Sequence, residues 1–132
     1  MYEYPFEKLK IWQNGKELAV EVYSTANSFP AKDKSGIGEY LKEAAVKVTT
    51  SLSEGNWRTS SDNARASLDD SHLNLMELLS LVIVARDLEV LSEEVYHQLR
   101  EKINDLSIML LAFKKSLNNK ADKKVGETAA TL

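Results

Sequence analysis

Two carboxylate–histidine pairs, Asp69-x-x-His72 and Glu94-x-x-His97, have the i, i+3 spacing that sets both side chains on one helix face. Di-iron bundles bind metal through two Glu-x-x-His pairs together with one Glu from each of the other helices. Here the pairs do not converge. His72 lies near the start of a third helical segment and His97 near the start of a fourth. In antiparallel neighbours rising about 1.5 Å per residue, those starts stand on the order of 15–20 Å apart. No metal or other cofactor is expected.

Glu54 and Glu77 each fall within an otherwise apolar helical pattern. Two carboxylates on separate helices can work as an acid and a base. Neither has a nucleophile, a metal-ligand set or a glycine-rich phosphate loop beside it, and neither histidine has a triad setting. A structural role is expected instead, as a buried or rim glutamate paired with Arg58, Arg86 or a tyrosine hydroxyl. No catalytic residue is assigned, and the chain reads as a non-enzyme. The remaining chemistry is electrostatic: Lys42, Lys47, Arg58 and Arg65, with Trp57 among them, are the candidates for nucleic-acid contact. Cations fix phosphates, and an indole stacks on a base. Glu39 and Glu43 interrupt the series, and a mixed, solvated helix face explains it better.

These residues must be positioned by helices. Pro5 and Pro30 are the only prolines, so about a hundred residues follow without a breaker of that kind. Apolar residues recur at helical spacing over four stretches, 6–29, 36–58, 62–89 and 93–118. In the first, Leu9, Trp12, Ala19, Val22, Tyr23, Ala26 and Phe29 share a face. The second buries Ile37, Leu41, Ala44, Ala45, Val48 and Leu52. Ala64, Leu68, His72, Leu75, Leu79, Val82 and Leu88 mark the third, and Val95, Leu99, Ile103, Leu106, Leu110, Phe113 and Leu117 the fourth. Ser92, followed by Glu93 and Glu94, caps the fourth. Short joins between long helices imply an all-α, antiparallel up-down-up-down four-helix bundle over 1–119. Residues 120–132 have no apolar period and are expected to form a disordered tail.

Composition narrows the setting. Cysteine is absent, which removes disulfides and thiolate chemistry and suits the cytoplasm. The most apolar run, 73–85, is too short to span a bilayer. Residues 1–113 carry 12 Lys and Arg against 18 Asp and Glu, net −6, whereas 114–132 carry 5 against 2, net +3. An acidic body disfavours broad contact with phosphate backbones. The third helix is apolar in nearly every direction, and the fourth repeats this over Ile108–Phe113. One core cannot cover such an excess, so the chain is expected to form a homo-oligomer. Leu81, Ile83, Val84, Ile108, Met109 and Leu111 are the expected interface.

Several short signatures occur in order: FEKLKIWQNGKELAVEVY at 6–23, the Phe29-Pro30 stop, Gly36 leading into Leu41 and Ala44-Ala45-Val46, Ser53-Glu54-Gly55 with Arg58, and Glu77-Leu78. Over about residues 6–118 the chain resembles the 23S rRNA intervening-sequence proteins, which are related to accessory proteins of diversity-generating retroelements. The resemblance implies a small bundle that assembles as a homo-oligomer, typically a pentamer, without enzymatic activity. It marks Trp12, Gly36, Glu54, Gly55 and Glu77 as motif positions with structural roles. It also implies association with RNA or DNA, and with a protein partner such as a reverse transcriptase. The family's Gln-Leu-Arg-Arg is Tyr40-Leu41-Lys42-Glu43 here, and its Ser-Ile-Pro-x-Asn-Ile-Ala-Glu-Gly is Lys47-Val48-Thr49-Thr50-Ser51-Leu52-Ser53-Glu54-Gly55. Both departures weaken the basic surface. The sequence thus predicts a non-enzymatic, homo-oligomeric binding or scaffold bundle associating with RNA or DNA, or else a protein-interaction adaptor without nucleic acid.

Overall fold

The computed structural model describes residues 1–56 and 61–131. Among them are four long helices and no strand: α1 (Lys10–Asn27), α2 (Ile37–Asn56), α3 (Ser61–Asp87) and α4 (Glu93–Thr131). Two one-turn elements precede α1 and α2, a 3-10 turn at Pro5–Lys8 and a helical turn at Ala31–Lys34. No helix of the described residues is long and apolar enough to cross a membrane.

The first helix was expected to start at residue 6, but the chain breaks at Leu9, whose backbone is extended (φ −73°, ψ 123°). The turn before it closes on itself, because the Tyr4 amide donates to the Glu7 carboxylate at 2.6 Å. That bend lays Phe6 edge-on against Trp12, ring centroids 4.9 Å apart. Pro30 is extended and ends this arm of the bundle. At the other join, α3 stops on Glu89, which takes the left-handed conformation (φ 63°). There the Val90 amide reaches back to the Ala85 carbonyl at 3.1 Å, a closure that more commonly uses glycine. Ser92 caps α4 as its sequence indicates, its hydroxyl accepting from the Val95 amide at 3.2 Å. The last helix runs on to Thr131 instead of ending near 118 with a disordered tail after it. Its final turns lack an apolar stripe but hold Ala, Lys and Glu and no proline, so local propensity carries the helix on.

Across three of the seams, the contacting side chains follow reversed residue order. Between α2 and α3, Lys47 lies opposite Glu77, Ser51 opposite Ser71 and Gly55 opposite Ser67. Between α3 and α4 the pairs are Arg65 with Asn118, Asp69 with Lys114 and His72 with Ser107. Asn14 with Met109 and Glu21 with Lys102 tie α1 to α4. The core between them is aliphatic: Leu18, Val22, Leu41, Val48, Leu75, Leu78, Val82, Leu99, Ile103, Leu106 and Leu110 are all essentially closed to solvent. Ile11, Leu18, Leu78, Ala85 and Tyr96 join it although the predicted stripes omit them. Tyr23, Leu88 and Phe113, predicted as core, are instead 42%, 57% and 38% exposed.

The α2–α3 seam is built from small residues. Ser51, Ser67 and Ser71 are buried, and the Ser71 hydroxyl lies 2.7 Å from the Ser51 hydroxyl and 2.9 Å from the Ser67 carbonyl. A Cβ on Gly55 would stand 3.1 Å from the Ser67 Cβ. Such residues let two backbones approach closely while each hydroxyl keeps a partner. Tyr96 occupies the opposite corner of the core, with the guanidinium of Arg86 4.4 Å above its ring and its hydroxyl bonded to Arg100. The hydrogen bond from Arg86 to Asp87 holds that guanidinium above its ordinary pKa, so it stays charged against the ring.

Candidate functional site

The cations predicted to meet nucleic acid do not come together. Lys42 leans over the ring of Tyr23 at 5.4 Å, with Glu39 3.8 Å from its ammonium. Lys47 sits on the other side of α2, between Glu43 at 3.9 Å and Glu77 at 3.8 Å. Arg65 is a helix away, held by Asp62 and by the Asn118 side-chain oxygen. Arg58 and Trp57 lie outside the described residues. Each described cation of the set therefore already has a carboxylate beside it, and they point along three different seams.

The carboxylates are also apart. Glu77 is exposed and pairs with Lys47 rather than with Arg86 or a tyrosine, because helix register places residue 47 opposite residue 77. Glu54 is exposed at the rim of a polar groove that also holds Lys47, Asp70 and Asn74. His72 is hydrogen-bonded to Ser107 at 3.1 Å, Asp69 to Lys114 at 2.6 Å, and His97 lies 3.6 Å from Glu93. No cluster of three His, Asp or Glu side chains is placed to hold a metal ion among the described residues.

The motif glycines act by proximity. A Cβ on Gly36 would lie 3.2 Å from the Lys32 carbonyl, where the chain turns into α2. Gly55 sets the closest approach of α2 to α3.

One concavity lies where the sequence singles out no site. A groove of about 530 Å³ runs between α1 and α2, walled by Phe6, Trp12, Val20 and Tyr23 on one side and by Val46, Thr49, Thr50 and Ser53 on the other. Lys16 stands at its edge, its ammonium 5.3 Å from the Trp12 ring. The hydroxyls of Thr49, Thr50 and Ser53 donate to carbonyls of their own helix, at 2.8, 3.2 and 2.9 Å, which leaves methyl and methylene groups as much of that wall. The signal was present as Trp12, Lys16, Val20 and Tyr23 at spacings of four, four and three. Trp12 and Tyr23 also fit the core stripe of the first helix.

On the far side of the bundle, the predicted interface divides in two. Leu81, Ile83 and Met109 are half-buried against their own core, and Asn14 donates to the Met109 sulfur at 3.0 Å. Val84, Ile108 and Leu111 are 42%, 58% and 54% exposed, and Leu73, not predicted, is 67% exposed. The structure thus carries an aromatic-lined apolar hollow on one side and a set of projecting aliphatic side chains on the other.

A family model described as 23S rRNA-intervening sequence protein matches residues 7–112. No curated protein matches the chain.

Proposed function

Since the chain belongs to the 23S rRNA-intervening sequence protein family, we propose that it is a non-enzymatic up-down-up-down bundle that assembles with copies of itself and serves as a binding scaffold. The observation that carries this reading is the projection of Leu73, Ile108 and Leu111 from a bundle whose own core is already closed. Apolar side chains left in water beside one another favour association. The pentamer implied by the family resemblance is one closed form of such an assembly. The solvent-exposed settings of Glu54 and Glu77 support a role without catalysis, and a cysteine-free chain fits the cytoplasm.

Nucleic-acid binding is the second reading, and α4 favours it. The pairing of Asn118 with Arg65 near the start of α3 leaves the turns after Asn118 running on beyond that neighbour. Those turns hold Lys120, Lys123 and Lys124. A basic helical end of this kind suits phosphate contact better than Lys42, Lys47 and Arg65, which already face carboxylates.

Multi-angle light scattering at micromolar concentration tests the first reading. A multiple of 14.8 kDa is expected, and a single 14.8 kDa particle overturns it. Titration of fluorescent RNA at low and moderate salt tests the second. Affinity that falls with salt and is lost on truncation after Asn119 is expected, and no binding at low salt removes that reading.

A further inference from the structure

Two apolar surfaces of the described residues differ in charge. The α1–α2 face is concave, and Lys16 at its edge has no carboxylate within ion-pair distance among the described residues. The α3–α4 face carries Ile108 and Leu111, 58% and 54% exposed, with Leu111 between Ser107 and Lys114, which both bond to α3. Asp105 and Glu101 precede Ile108 by three and seven residues, so they share its face of α4. Both are exposed, and neither has a cation partner among the described residues. Because α1 packs chiefly on α2 and α4, and α3 on α2 and α4, the two faces look away from each other across the bundle.

We propose that the α3–α4 ridge of one copy docks into the α1–α2 groove of the next. The inference rests on the self-association reading and specifies which surfaces meet. Ile108 and Leu111 supply aliphatic knobs for a hollow walled by Trp12, Val20 and Tyr23, and Glu101 and Asp105 meet Lys16 at the rim. Two-fold pairing fits worse on both counts. Groove against groove leaves the hollow unfilled and brings Lys16 toward its own copy. Ridge against ridge sets Glu101 and Asp105 against theirs, and like charges across an interface are disfavoured. A head-to-tail contact leaves one groove and one ridge open on every assembly, so copies add until the rotation closes a ring or a filament grows.

Two single variants test this. Val20→Glu places a bulky carboxylate in the groove, and Ile108→Glu places one on the ridge, so the two altered surfaces repel each other; both sites are more than half exposed, so folding is preserved. Each variant alone is expected to run as a 14.8 kDa monomer with unchanged helical circular dichroism. Mixed in equal amounts, they are expected to form a heterodimer of twice that mass and nothing larger, since the mixture holds one intact groove and one intact ridge. A mixture that stays monomeric, or a variant that self-associates alone, overturns the head-to-tail assignment while wild-type assembly stands. A monomeric wild-type chain overturns both readings. Tyr23→Glu with Leu111→Glu repeats the test at independent positions should either first variant misfold.

Discussion

Ile103 and Ile108 lie five residues apart on α4, and the same substitution should act on different equilibria at the two sites. Ile103 is 1% exposed, and truncating such a residue to alanine costs about 2–5 kcal/mol of folding free energy. Ile108 is 58% exposed. Full burial of an isoleucine side chain is worth about 1.5–3 kcal/mol, so roughly 0.9–1.7 kcal/mol of it remains to be gained on docking. Ile108→Ala should therefore weaken each inter-copy contact by about 4- to 16-fold, at about 1.4 kcal/mol per decade. Its effect on the folding of the isolated chain should stay below about 1 kcal/mol. The two effects must be separated, because assembly raises apparent stability by mass action. Sedimentation velocity over a dilution series gives the dissociation constant, and urea melts below that concentration give the folding term. Ile103→Ala should shift the melt, and Ile108→Ala should shift the dilution midpoint. An Ile108→Ala melt displaced as far as that of Ile103→Ala, or an unmoved dilution midpoint, would refute the assignment of Ile108 to an intermolecular surface.

The α3–α4 join and the serine seam give further expectations. Glu89→Gly should raise stability by about 1 kcal/mol in urea melts, because the residue holds φ 63° and a side chain there carries a left-handed penalty; a loss would show that the Glu89 side chain compensates. Gly55→Leu should cost about 1–3 kcal/mol by the same assay, since its Cβ alone would come within 3.1 Å of the Ser67 Cβ. Tyr96→Ala should cost about 3–5 kcal/mol, as expected for removing a buried aromatic core residue. Replacing Lys42, Lys47 and Arg65 together by alanine should leave low-salt RNA affinity within about twofold of wild type by fluorescence anisotropy, because those cations face carboxylates; a uniform loss would return them to the interface.

The helical class and the α2 and α4 stripes were legible because their apolar residues recur at one period, and Leu41, Val48, Leu52, Leu99, Ile103, Leu106 and Leu110 are all buried. The third stripe was harder to read. Apolar residues lie all around α3, so hydrophobicity alone cannot say which of them face inward. The answer came from Ser67 and Ser71, polar by type and buried because α2 approaches them closely at Gly55 and Ser51. That approach rotates α3 so that Leu78 and Ala85 point inward and Leu73, Val84 and Leu88 point out. A serine–glycine seam carries no hydrophobic signal, and without it the rotation is undetermined.

The nucleic-acid candidates are dispersed for a related reason. Lys42 and Lys47 are five residues apart, and on a helix of 3.6 residues per turn that is about 140° around the axis. Closeness in sequence therefore sent them to different seams, each toward the carboxylate that register supplied. The same arithmetic hid the groove. Trp12, Lys16, Val20 and Tyr23 follow one line along α1, but two of its members are aromatic and equally fit a core stripe. An aromatic residue at the edge of a stripe can close a core or wall a hollow, and the neighbouring helix decides which. On α2, the residues facing that line are Val46, Thr49, Thr50 and Ser53. Side chains this short cannot fill the space that Trp12 and Tyr23 leave open. A hollow whose walls come from both helices is therefore a property of the pair, and whatever fills it must enter from outside the chain's own core.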